Sequence, residues 1–235
     1  RTQSLEVPLN ADAAGTAAMR VFLTSRDLLS VCDMAESLLL LNEVDKITII
    51  DCQSTYGPLL NRYNDLPESI EILMCSNLGP RAAWLICREL MMEGSYAVSD
   101  GDLDISEWPV DAITVMRERL MSQPHLTKVG AALEIAGLPQ TRLAEQARNH
   151  ESQFWSKPVA PGFFSADIDT TFAIYRNPDW GGYGPSERCS FATAKHIAWH
   201  LEPGKIPADW QHYLKRVDRA AGTHWSQLLA EKGLQ

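Results

Sequence analysis

The chain has 235 residues, 45% of them hydrophobic and 22% charged, a balance that sets aside wholesale disorder, collagen and low-complexity filaments. Lys and Arg total 21 against 30 Asp and Glu, a formal charge of -9, which argues against a general nucleic-acid binder while leaving room for a local basic strip over residues 188–219. No apolar run approaches the ~18–20 residues of a membrane span, no secretory signal pattern appears, and five cysteines without a CxxC pair read as free, mostly buried thiols in a reducing cytoplasm.

Residues 1–18 lack period and bulk and are expected to be a flexible leader, with one domain over 19–235. Val21–Thr24 then reads as a strand, Leu28–Asn42 as a helix, Ile47–Ile50 as a strand and Tyr56–Tyr63 as a short helix. Ile70–Met74 is a third strand, Arg81–Glu93 a helix and Tyr96–Val98 a fourth strand. Strand starts near 21, 47, 70 and 96 set the rhythm of βαβ units and a parallel sheet. Beyond residue 105 the pattern loosens. A helix is expected over Pro109–Met121, a strand over Thr127–Ile135 and a polar helix over Thr141–Gln153. Ile168–Tyr175 reads as a strand, the Gly- and Pro-rich segment 177–190 as a loop, and 208–229 as mainly helical.

Open parallel sheets bind ligands beyond the carboxyl ends of their strands, so the residues that follow each strand carry the chemistry. The first of these turns, Ser25-Arg26-Asp27, has no glycine, which demotes dinucleotide-binding enzymes. GxxxxGK[ST] and GxSxG are both absent, which removes P-loop NTPases and the usual hydrolase elbow. After the fourth strand comes Asp100-Gly101-Asp102-Leu103-Asp104. Carboxylates this close repel unless a cation joins them, and a hard divalent ion held there can meet substrate phosphates. An EF-hand loop starting at Asp100 fails, because Ile105 stands where the turn needs glycine. A dehalogenase-type phosphatase fails too, since its acidic pair belongs on the first strand.

In this order FLTSRDL, TIIDCQSTY, NLGPRAAW and YAVSDGDLDI resemble the nucleotide-diphospho-sugar glycosyltransferases of GT-A fold, family 2 most closely, over roughly residues 20–105. The resemblance implies an α/β, Rossmann-like, mostly parallel sheet flanked by helices, with a donor-binding half over about 19–105 and a smaller acceptor-side elaboration over about 106–235. It implies a nucleotide-sugar donor, with UDP expected, and Mn2+ or Mg2+. Thr24 and Arg26 would line the nucleotide pocket. Asp51 would face the base, and Ser54 would shape its turn. Asn77 and Gly79 would set a loop that brings Arg81 to the donor phosphates or sugar. Asp100 would contact ribose or metal-bound water, and Asp102 would ligate the metal.

An inverting transfer needs a carboxylate to take the acceptor proton. The Glu-Asp pair usual in that family is absent, and Asp169 with Asp167 stand in, their i, i+2 spacing placing both on one face of a strand. Glu151 is the next choice. A late histidine is expected at the metal, His224 first and His196 as its rival, and Trp180 in DWGGYG is expected to cover the ligand. The acceptors compatible with the resemblance are a glycan, a lipid-linked sugar, a protein and a modified nucleic-acid base. A nucleotidyltransferase is the alternative enzyme, and a non-catalytic sugar-nucleotide or glycan-binding module the alternative without chemistry.

Overall fold

The computed structural model describes residues 19–92, 94–178 and 182–216. The expected leader, Trp180, His224 and the part of the expected tail helix beyond residue 216 lie outside them. Strand β1 (Met19–Ser25) is almost wholly buried, because it pairs in parallel with β2 (Val44–Cys52) on one side and β4 (Tyr96–Asp100) on the other. Its apolar run suits a strand covered on both faces. Side-chain alternation divides it. Val21 and Leu23 join Ile47 and Ile49 in one core, while Phe22 joins Ile50 and Val98 in the other.

The first core is closed by helices α1 (Ser30–Leu38), α5 (Ala112–Ser122) and α6 (Arg142–Glu151), through residues at helical spacing such as Val31, Ala35 and Leu38 or Ile113, Met116 and Leu120. The second core is closed by α3 (Ala82–Ile86) and α4 (Arg88–Met91). The short α2 (Gly57–Arg62) precedes strand β3 (Ile70–Cys75) at the sheet edge. Thus the expected α/β architecture, mostly parallel and flanked by helices, is present.

The described strands form a ten-stranded sheet of order β3-β2-β1-β4-β9-β6-β10-β8-β7. Here β6 is Lys128–Leu133, β7 Pro158–Ala160, β8 Phe163–Ser165, β9 Ala173–Tyr175 and β10 Ser186–His196. The two-residue β5 (Leu103–Asp104) pairs with the end of β10. The longest ladders are parallel, and β9 is inserted antiparallel between β4 and β6.

Several sequence expectations need correction. Residues 166–172 form a loop, and only Ala173–Tyr175 of the expected strand over 168–175 is one. Asp167 and Asp169 are therefore not on a strand face. The expected loop over 177–190 runs into β10 from Ser186, and the β7–β8 hairpin is additional. The expected helix over 81–93 is two short helices separated at Cys87. The tail helix α7 (Ala208–Lys215) is present. No helix among the described residues is long and apolar enough to cross a membrane.

Candidate active site

The strand order reverses between β1 and β4, and their C-terminal ends meet with Thr24 opposite Asp100. Such a switch point opens a crevice in an α/β sheet. On its β1 side, Thr24 Oγ1, Ser25 Oγ and Arg26 Nε are buried with no hydrogen-bond partner among the described residues. An unmet buried donor or acceptor is costly, by about 1–3 kcal/mol, unless a ligand or water completes it.

Asp27 was not singled out from sequence, yet it organises this turn. It is fully buried with φ 61, and its Oδ1 accepts from the N–H groups of Thr55 (2.6 Å) and Tyr56 (3.0 Å). Its own N–H donates to Ser54 Oγ at 2.7 Å, and Arg216 Nη1 donates to Oδ2 at 2.9 Å. The one signal available was an aspartate two residues past the end of β1, a residue type that tolerates the left-handed region. Asp51 is also fully buried. Its Oδ1 accepts from Ser54 N and its Oδ2 from Tyr63 OH, both at 2.7 Å. Burial and the Asp51 charge push the Tyr63 phenol up. Asp51 and Ser54 are thus tied into the turn after β2, Asp51 through both carboxylate oxygens and Ser54 through its backbone N–H and its Oγ.

On the β4 side, Asp100 Oδ2 accepts from Thr170 Oγ1 at 2.8 Å, and the Asp100 N–H donates to the Thr170 carbonyl at 3.0 Å. Burial, then the Asp102 and Asp169 charges, push the Asp100 carboxyl well above the usual range. Gly101 N donates to the Thr24 carbonyl at 2.9 Å. The β5–β10 pairing sets Leu103 opposite His196, and this brings His196 Nδ1 to 3.6 Å from Asp102 Oδ2. That Nδ1 is buried without a hydrogen-bond partner, and the ring stacks on Trp199 at 4.6 Å. Of the two expected histidines, His196 is the one placed at Asp102, while His224 lies outside the described residues.

Asp169 joins the cluster from the loop before β9, its Oδ1 accepting from Thr171 N at 3.1 Å. Asp167 is exposed, and its carbonyl accepts from Arg188 Nε at 2.8 Å. Glu151 is bound instead in a buried pair with Arg188 at 2.7 Å, and burial pushes its carboxyl up to about 7 despite that partner. Asn77, Gly79 and Arg81 follow the edge strand β3. Asn77 Oδ1 accepts from Gly79 N at 3.4 Å, Gly79 takes φ 74, and the exposed Arg81 precedes α3.

Among the described residues, no group of three or more His, Cys, Asp or Glu side chains is arranged to hold a metal ion. The Asp102–His196 pair fits a divalent ion that completes its shell elsewhere. It offers one oxygen and one otherwise unpartnered buried nitrogen, beside carboxylates whose mutual repulsion a cation would relieve.

No family model matches the chain, and no curated protein does. Among solved structures, a mannosyltransferase from Pyrobaculum calidifontis, in complex with GDP-Man and Mn2+, is 11% identical with a TM-score of 0.47, covering 92% of this chain and 79% of its own. A 4-diphosphocytidyl-2C-methyl-D-erythritol synthase from Anaerococcus prevotii is 9% identical with a TM-score of 0.38, covering 84% of this chain and 82% of its own. A cytidylyltransferase from Leptospira borgpetersenii is 8% identical with a TM-score of 0.37, covering 48% and 53%.

Proposed function

We propose that this chain is a metal-dependent glycosyltransferase of GT-A type, moving a sugar from a nucleotide-diphosphate sugar to an acceptor hydroxyl. One observation carries the reading. Asp100, Asp102 and Asp169, from two separate stretches of chain, converge at the ends of β1 and β4 while the buried Nδ1 of His196 faces Asp102. Asp102 and His196 would hold Mn2+ or Mg2+, which when bound neutralises charge developing on a leaving diphosphate.

The chain's own groups do the rest. Thr24 and Ser25 offer two hydroxyls with no hydrogen-bond partner among the described residues, and Arg26, whose Nε lies 3.8 Å from Asp27 Oδ2, offers a guanidinium N–H to the nucleotide. Asn77 and Gly79 hold the loop that leads to Arg81 and the donor's outer part. Asp169, oriented by the Thr171 N–H, takes the proton of the acceptor hydroxyl.

A thermal-shift panel of nucleotide sugars with and without Mn2+, followed by assay of nucleoside diphosphate release, tests this. Stabilisation by a nucleotide sugar should require Mn2+. Asp102→Asn and His196→Ala should lose it while keeping the wild-type melting temperature. Asp169→Asn should slow transfer by ~10²–10⁴ with donor affinity unchanged. Pyrophosphate release from a nucleoside triphosphate would establish the nucleotidyltransferase instead. Binding without turnover would leave a sugar-nucleotide module, and no metal-dependent nucleotide binding at all would sink the reading.

A further inference from the structure

Cys52 and Cys75 end the neighbouring parallel strands β2 and β3 as register partners, so their side chains leave the same face of the sheet. Their sulfurs lie 3.9 Å apart, and either thiol can donate to the other. Adjacent strands stand ~4.8 Å apart, inside the ~4.4–6.8 Å Cα separation that a disulfide spans. Side-chain rotation alone therefore brings the two sulfurs to the bonded distance of ~2.05 Å. Cys52 is buried and Cys75 is half-buried. The loop that carries Asn77 and Gly79 follows Cys75 directly. A third thiol, the buried Cys87, lies close enough for Cys75 to influence its titration.

We propose that Cys52 and Cys75 are a modification site, a dithiol that closes to an intramolecular disulfide with a hydroperoxide and reopens with a thiol reductant. The more accessible Cys75 reacts first. Its thiolate attacks the terminal peroxide oxygen, an S–O bond forms as the O–O bond breaks, and water or an alcohol leaves. The Cys52 sulfur then attacks the sulfenic sulfur of Cys75, the S–S bond forms, the S–O bond breaks, and the departing hydroxide takes the Cys52 proton as water. Two sulfurs are each oxidised by one electron, and the two peroxide oxygens are reduced correspondingly. Burial pushes the Cys52 thiol up to about 12, which suits it to second place in that order. Reopening begins with attack on Cys75, the sulfur a reductant can reach. The bridge would tie the ends of β2 and β3 directly beneath the Ser76–Gly79 loop. This inference stands apart from the proposed transfer reaction.

The test is oxidation of the full folded chain with hydrogen peroxide, followed by unfolding, alkylation of free thiols and intact-mass and tryptic mapping without reductant. The expected product alkylates at three of its five cysteines, carries a Cys52–Cys75 linked peptide, and returns to five free thiols with dithiothreitol. Cys52→Ser and Cys75→Ser should each form no intramolecular link under the same treatment. The wild-type map decides the matter by itself if either variant fails to fold. Five alkylated thiols after oxidation, a Cys75–Cys87 link, a link between two chains, or sulfinate at Cys75 as the sole product would each overturn the proposal.

Discussion

Lys128 is fully buried at the start of β6, where its Nζ donates to the Gly182 carbonyl at 2.9 Å and lies 5.3 Å from the Tyr175 ring centroid. Burial holds its pKa down from 10.5 to about 8, against the Asp169 and Asp167 charges that favour the ammonium form. The sign of the consequence follows from linkage. The unfolded chain keeps its proton up to about 10.4, whereas the folded chain releases it near 8. Between these values the unfolded state binds more protons, so this residue's contribution to stability rises with pH. Urea unfolding of wild type and Lys128→Met from pH 7.5 to 10.5 should show the wild type gaining on the variant across that interval. A difference that stays flat would mean that Lys128 is not desolvated. Nothing in the local sequence marks this lysine, because its burial comes from β9, β10 and the Gly182 segment.

The turn between β4 and β5 passes so close to α1 that only a residue without a side chain fits at Gly101. A Cβ there would lie 2.7 Å from Val31 Cγ2 and 2.9 Å from Val31 Cβ. This contact fixes the height of Asp100 and Asp102 over the first helix. Gly101→Ala should destabilise the fold by about 1–3 kcal/mol, the usual scale of overpacking. Adding Val31→Ala should recover part of that loss, and chemical denaturation of Gly101→Ala, Val31→Ala and the double variant reads it. Full stability in Gly101→Ala alone would show that α1 can yield. Strand β10 escapes a reading by polarity because its Glu187 and Arg188, which such a pattern places on the surface, are buried. Their charges are matched by Arg119 at 2.7 Å and Glu151 at 2.7 Å, partners from α5 and α6. A buried ion pair of this kind survives only with both partners present.

Across the whole molecule, the last described helix is joined to the turns that follow β1 and β2. Helix α7 lies against them. The Leu29 N–H donates to Asp209 Oδ2 at 2.9 Å, His212 Nε2 lies 3.0 Å from Thr55 Oγ1, and Arg216 reaches Asp27. The Tyr56 and His212 rings are 5.3 Å apart. A double-mutant cycle with Asp27→Asn and Arg216→Ala should return a coupling of about 1 kcal/mol. That is the lower part of the range for contacting residues, because Arg216 is partly exposed to water. Strict additivity would mean that α7 is held by its other contacts alone.

The first four strands, the helices between them and the acidic turn after the fourth were legible in the sequence, because each is a local pattern: an apolar run of strand length, helical spacing, or residues beside a strand end. Asp100, Asp102, Ser54, Thr24 and Arg26 could be marked in that way, and Asp169 and His196 could be named but not placed. The placing of the other candidate residues depends on chain segments distant in sequence. Thr170 and Asp169 arrive through the antiparallel β9, His196 arrives through β5 pairing with the end of β10, and Asp27 takes its partners from residues 54–56 and 216. Periodicity reports which face of an element is buried, but not which element will cover it. The position of His196 beside Asp102, the enclosure of Asp51 and the contact of Cys52 with Cys75 were decided by strand order and register, which only the packed sheet determines.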